Sequence, residues 1–148
     1  MNTDYQKTIF ITGSSSGLGR ATAKLFASKG WKVIATMRDP DKETELGKLS
    51  GVVLLSLDVT DPMQIKSAVD EALAMGRVDV VFNNAGYGMA GPLEGLTDEQ
   101  IVRMVETNMM GAIRTTKAFV VRIAPIMLVS TMRTICSSVR PSSGPAIP

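Results

Sequence analysis

The sequence predicts a doubly wound α/β fold built on a parallel sheet. Short apolar runs alternate with stretches of helical spacing, the pattern of repeated strand–helix–strand units. The runs are continuously apolar, as in parallel strands buried on both faces. A Gly/Ser cluster stands where the first run gives way to the first helical stretch. At 148 residues the chain fits a single domain, 1–148, large enough to bury a core.

Lys7 to Thr12 is the first strand, β-branched and apolar. Leu18, Ala21, Leu25 and Phe26 then recur at helical spacing, and Lys29-Gly30 supplies the stop. Trp31 to Thr36 is the second strand, followed by a short helix, and Val52 to Leu57 is the third strand. Asp61-Pro62-Met63-Gln64 starts the next helix with an acidic cap, a proline at the first helical position and a Gln placed to close a capping box. Ile65, Ala68, Val69, Ala72 and Leu73 form its apolar stripe. Val78 to Phe82 is the fourth strand. Thr97-Asp98-Glu99-Gln100 is a second capping box, opening one long helix from Ile101 to about Val121. The final run, Pro141 to Pro148, is Pro/Ser/Gly-rich, and about 131–148 is expected to form a disordered tail.

Composition narrows the chemistry. Hydrophobic residues at 45% and charged residues at 20% are ordinary for a globular domain. One cysteine, Cys136, excludes an internal disulfide, and the absence of histidine removes the commonest metal ligand and acid–base group, so no metal site is expected. No stretch has the length and apolarity of a membrane span, and no signal peptide is visible, so a soluble cytoplasmic protein without a membrane partner is expected. Charge is unevenly placed: residues 1–106 hold 11 basic and 14 acidic side chains, whereas residues 107–148 hold five basic and none acidic. Those five are spread thinly with one aromatic, Phe119, among them, so nucleic acid is not an expected partner.

The strongest motif is Thr12-Gly13-Ser14-Ser15-Ser16-Gly17-Leu18-Gly19. Between a strand and a helix, Gly13 permits a tight turn, Gly17 lets backbone N–H groups approach a pyrophosphate, and Gly19 lets the helix pack closely. A Walker loop would end in Gly-Lys-Ser/Thr, and here Gly19-Arg20-Ala21 follows. Gly86-Tyr87-Gly88-Met89-Ala90-Gly91 also fits G-x-G-x-x-G, but Pro92 and more loop follow it, so it reads as a loop. Arg38, 19 residues beyond Gly19 at the end of the second strand, suits the 2′-phosphate of NADP(H), which is favoured over NAD. The competing readings are Asp39 on the ribose, or Arg38 as a solvated surface charge.

These residues, together with Asn83-Asn84-Ala85-Gly86 after the fourth strand, Asp58-Val59 after the third and Asn108 in the long helix, resemble the short-chain dehydrogenase/reductase family over about residues 7 to 120. The resemblance implies a Rossmann-like fold and hydride transfer between nicotinamide and a small carbonyl or alcohol substrate. It places Ser15, Ser16, Gly17 and Leu18 along the cofactor, Arg38 on the 2′-phosphate, and Asp58 and Val59 beside adenine. Asn84, Ala85 and Gly86 fall along the ribose and nicotinamide, and Asn108 in the catalytic centre.

The family's proton donor is a Tyr-x-x-x-Lys pair with a serine on the preceding strand. Here Tyr5 is followed four residues later by Ile9 and Tyr87 by Gly91, so neither tyrosine forms the pair. Ile135-Cys136-Ser137-Ser138-Val139 is a candidate for the serine strand, with Ser138 as a second catalytic candidate 30 residues after Asn108; a chance Ser-Ser in a Ser-rich tail is the competing reading. Against the family pattern the sheet is expected to be cut short at its C-terminal side. Two hypotheses follow: an NADP(H)-dependent oxidoreductase chain with incomplete catalytic machinery, or a non-catalytic NADP-binding or interaction module. An open sheet edge would suit a partner chain or a homo-oligomer.

Overall fold

The computed structural model describes residues 5–89, 91–122 and 127–130. Five parallel strands form one sheet: β1 (Thr8–Ile11), β2 (Lys32–Met37), β3 (Val52–Ser56), β4 (Val80–Asn83) and β5 (Met127–Ser130), in the order β3-β2-β1-β4-β5. Helices α1 (Gly17–Ser28), α2 (Pro62–Ala74), α3 (Asp98–Val105) and α4 (Gly111–Val120) cover it. This is the doubly wound architecture expected, and it is Rossmann-like in strand order.

The apolar residues of β1 to β4 divide between two cores, one on each face of the sheet. Along β1, Ile9 and Ile11 join Val33, Ala35 and Phe82 in a core completed by Ala23 and Phe26 of α1. Phe10 points the other way, into a core with Ile34, Val81, the apolar stripe of α2 and Phe119 of α4. The Phe10 and Phe119 rings meet edge to face with centroids 4.9 Å apart. Trp31, at the start of β2, packs edge to face on Phe26 at 4.9 Å and lies beneath the Lys7 ammonium.

Both caps form, but only the second is a box: Gln64 Oε1 accepts from the Asp58 amide at 2.9 Å rather than from the Asp61 amide. Asp61 accepts from the Met63 and Gln64 amides, which hold its carboxyl below the usual aspartate range. Thr97 and Gln100 make a complete capping box on α3.

Three elements depart from the sequence reading. The short helix between the second and third strands is a pair of single 3-10 turns, Pro40–Lys42 and Leu46–Lys48. Besides their own i→i+3 hydrogen bonds they are tied together by Glu43, which, with a side chain 1% exposed, accepts from the Glu45 and Leu46 amides and from Arg20 of α1 at 2.7 Å. The single long helix is broken by a five-residue π turn, Glu106–Met110, between α3 and α4. And the strand beside β4 is Met127–Ser130, with Asn83 opposite Ser130, a stretch the sequence reading passed over. The candidate strand 135–139, with Ser138 and Cys136, and the tail from 131 lie outside the described residues. Two late basic side chains do find acids: Arg114 pairs with Glu106 at 2.5 Å and Arg122 with Asp70 at 3.0 Å.

Candidate functional site

From β1 the chain winds one way through β2 and β3, then crosses back to place β4 on the other side of β1. The loops leaving the C-terminal ends of β1 and β4 therefore diverge, the switch point at which open α/β sheets bind ligands. A cleft of about 680 Å³ lies there.

Its floor is the loop after β1. Gly13 has φ +69°, and a Cβ on it would stand 2.7 Å from the Ala85 Cα, so both conformation and space require glycine. Gly17, at φ +53°, faces open space: nothing lies within 4 Å of an added Cβ. A Cβ on Gly19 would meet the Gly13 carbonyl oxygen at 2.3 Å and the Asn84 Nδ2 at 2.5 Å, so the first turn of α1 seats directly on the loop. The Ser16 side chain makes no capping hydrogen bond, and the first turn of α1 carries no acid. First-turn amides and the positive end of the helix dipole are left facing the cleft, a ready anion site.

The β1 and β4 loops are stitched together. The Thr12 hydroxyl accepts from the Asn84 and Ala85 amides, each at 3.0 Å. The Asn84 Nδ2 donates to the carbonyl oxygens of Thr12 at 3.1 Å and Gly13 at 2.9 Å. Thr12 heads the sequence motif without being one of its candidate site residues; a hydroxyl at the end of an apolar run is the one signal the sequence holds for it.

Arg38 and Asp58 rise from the ends of β2 and β3 onto the cleft wall. Arg38 is exposed and makes no ion pair among the described residues. Its neighbour Asp39 pairs with Lys42 at 2.5 Å and is not on the cleft wall. Asp58 Oδ1 accepts from the Thr60 amide at 2.9 Å and the Thr60 hydroxyl at 2.7 Å, which fixes the turn and presents Val59 beside it. Of the twelve candidate cofactor residues, eleven line this one cleft; Gly19 lies beneath it.

Asn108 sits in the π turn, behind the β4 loop. Its Nδ2 donates to the Tyr87 carbonyl at 2.7 Å and its Oδ1 accepts from the Tyr87 amide at 2.9 Å. An added Cβ on Gly86 would be 3.0 Å from that Oδ1, so glycine admits the asparagine. The widened turn lets Asn108 reach this loop while Gly111 abuts Val59. Among the described residues the Gly-rich stretch after β4 does not open a helix, as expected; a single 3-10 turn, Leu93–Gly95, follows.

The opposite wall went unforeseen. Gln100, Arg103 and Thr107 also line the cleft, as do Tyr87 and Met89. The three positions are spaced for one helical face, and that spacing was the signal available. Among the described residues no cluster of metal-binding side chains occurs, and no helix is long and apolar enough to cross a membrane.

Known proteins agree with this geometry. A family model described as short chain dehydrogenase matches residues 7–130. A 3-ketodihydrosphingosine reductase of Bacteroides thetaiotaomicron is 39% identical over 111 residues, 74% of this chain and 39% of the relative. Among solved structures, a 3-ketoacyl-(acyl-carrier-protein) reductase of Brucella melitensis complexed with NADH aligns with TM-score 0.73 and 31% identity, over 77% of this chain and 48% of the other. ElxO with NADP bound aligns with TM-score 0.76 and 25% identity, over 84% and 54%. The chain spans about two fifths of the length of the curated relatives it matches. With the glycine loop, the switch-point cleft and a family match over most of its residues in agreement, the chain belongs to the short-chain dehydrogenases, a family of oxidoreductases that use nicotinamide cofactors.

Proposed function

We propose that this chain binds NADP(H) in the switch-point cleft and serves hydride transfer between nicotinamide and a small carbonyl or alcohol. One observation carries the reading: eleven residues chosen from four separate sequence motifs line a single cleft of about 680 Å³. The fit is favourable at the floor, where Gly17 leaves a cradle that any side chain would fill. The pyrophosphate would lie on the first-turn amides of α1, and adenine beside Asp58 and Val59. Arg38 would hold the 2′-phosphate; its freedom from ion pairs, beside an Asp39 already engaged by Lys42, favours NADP(H) over NAD. Asn84, Ala85 and Gly86 would bound the ribose and nicotinamide. The cofactor supplies the hydride; the protein's own part is to fix its orientation and exclude water. In that scheme Asn108 belongs to the catalytic centre and holds the Tyr87 segment in place. The substrate is a small-molecule carbonyl or alcohol.

Titration of NADPH fluorescence tests the reading. The 148-residue chain is expected to bind saturably, and Gly17→Val to lose binding, since the new side chain strains a left-handed residue and covers the loop amides. An unchanged titration in Gly17→Val would sink the assignment.

A further inference from the structure

We propose that Arg103 is a second cationic contact for the adenosine half of the dinucleotide, standing across the cleft from Arg38. The inference rests on the reading of the cleft as an NADP(H) site.

The placement follows from one helical stripe. A Cβ on Gly111 would lie 2.7 Å from Val59 Cγ2, so α4 begins hard against the residue that follows Asp58. Thr107, Arg103 and Gln100 precede it at steps of four, four and three, which keeps them on the same side of the helix. All three line the cleft, and the Thr107 hydroxyl donates to the Arg103 carbonyl at 2.9 Å. The stripe thus starts at the β3 loop and climbs the cleft wall from there. β2 and β3 run side by side to their ends, with Met37 opposite Ser56, so the next residue, Arg38, emerges beside that loop. Arg38, from the end of β2, and Arg103, from α3, thus line the same cleft as Asp58 and Val59.

Both guanidinium groups are uncommitted. Neither makes an ion pair among the described residues. Asp58 is the one carboxylate on the same wall, and its Oδ1 is engaged by Thr60. The Gln100 Oε1 accepts from the Thr97 amide in the capping box, which leaves its side-chain N–H₂ for the cleft. Two guanidiniums without ion pairs against one carboxylate leave the cleft lining net positive, which suits a ligand bearing anionic groups. A guanidinium can fork onto a phosphate and also stack on a purine. An adenosine with phosphates at its 2′ and 5′ positions offers both.

The probe is 2′,5′-ADP, titrated by calorimetry into the 148-residue chain. Losing one charge-assisted contact should weaken binding about tenfold in Arg103→Gln, with partial recovery in Arg103→Lys. Arg38→Ser should weaken it as well. Arg103 is exposed on a helix, so circular dichroism of both variants should match the parent. If Arg103→Gln binds 2′,5′-ADP as tightly as the parent while Arg38→Ser does not, Arg103 has no part in the site and the inference falls alone. If the parent chain binds neither 2′,5′-ADP nor NADPH, the NADP(H) reading falls and takes the inference with it.

Discussion

At the scale of single residues, the chemistry of Arg38 is the most consequential. Its guanidinium can meet a 2′-phosphate, whereas a carboxylate in its place would repel one and accept from a free ribose hydroxyl. Arg38→Asp is therefore expected to lower NADP affinity and move the NADP/NAD affinity ratio toward NAD by tenfold or more, as about 1.4 kcal/mol per decade implies. Calorimetry with both cofactors measures that ratio, and an unchanged ratio would reduce Arg38 to a surface charge. Sequence alone located Gly13, Gly17 and Gly19 because each solves a backbone problem that a strand–turn–helix junction poses wherever it occurs. It did not locate the role of Thr12, whose hydroxyl acts only once β1 and β4, some seventy residues apart in the chain, lie side by side. Asn108 shows the same limit: its partner is the backbone of Tyr87, which no local spacing reveals.

At the scale of elements, local signals were dependable where the forces were local. Asp61 and Thr97 cap their helices because the acceptor and amide are within three residues of each other. The π turn was not legible, since the α and π turns share a side-chain pattern and the choice is made by contacts with Val59 and the Tyr87 segment. The connection between β2 and β3 was misread for a related reason: its shape comes from Glu43, whose partners include Arg20 on another element. Glu43 lies below its ordinary value of 4.5, chiefly through the Glu45 amide, with the Leu46 amide and Arg20 acting the same way and burial opposing. A lowered folded-state value stabilises the fold fully above pH 4.5, and the gain is lost as pH falls through the lower value. Glu43→Gln should cost about 1 kcal/mol near neutral pH, where the partly exposed Arg20 guanidinium and two backbone amides lose an ionised acceptor, and much less in acid. Thermal unfolding at pH 7 and pH 3 checks this; an equal loss at both would detach the effect from ionisation.

At the scale of the whole molecule, the doubly wound sheet was legible because burial on both faces writes itself into unbroken apolar runs. The far side of the sheet was not, because Met127–Ser130 follows Arg122 and Pro125 without a clear turn signal. Carbonyl reduction needs a proton donor beside the transferred hydride, and neither Tyr5 nor Tyr87 has a lysine four residues on. If no other group donates the proton, the purified 148-residue chain, given NADPH and a panel of ketones, aldehydes and quinones, is expected to bind cofactor with turnover lowered about 10²–10⁴-fold, the usual contribution of a positioned acid. Stopped-flow absorbance of NADPH checks this, and rapid oxidation by the chain alone would mean that another group, Tyr87 or Ser138, delivers the proton. The parallel sheet also separates two optical reporters. Trp31, the single indole, enters β2 at the end opposite Arg38, and six strand residues put roughly 20 Å between them. Its emission therefore follows the packing of α1 on the sheet and the loss of that packing on unfolding. A dinucleotide seated at the other end cannot touch it, so contact quenching of the indole is silent to occupancy while the nicotinamide's own light is not.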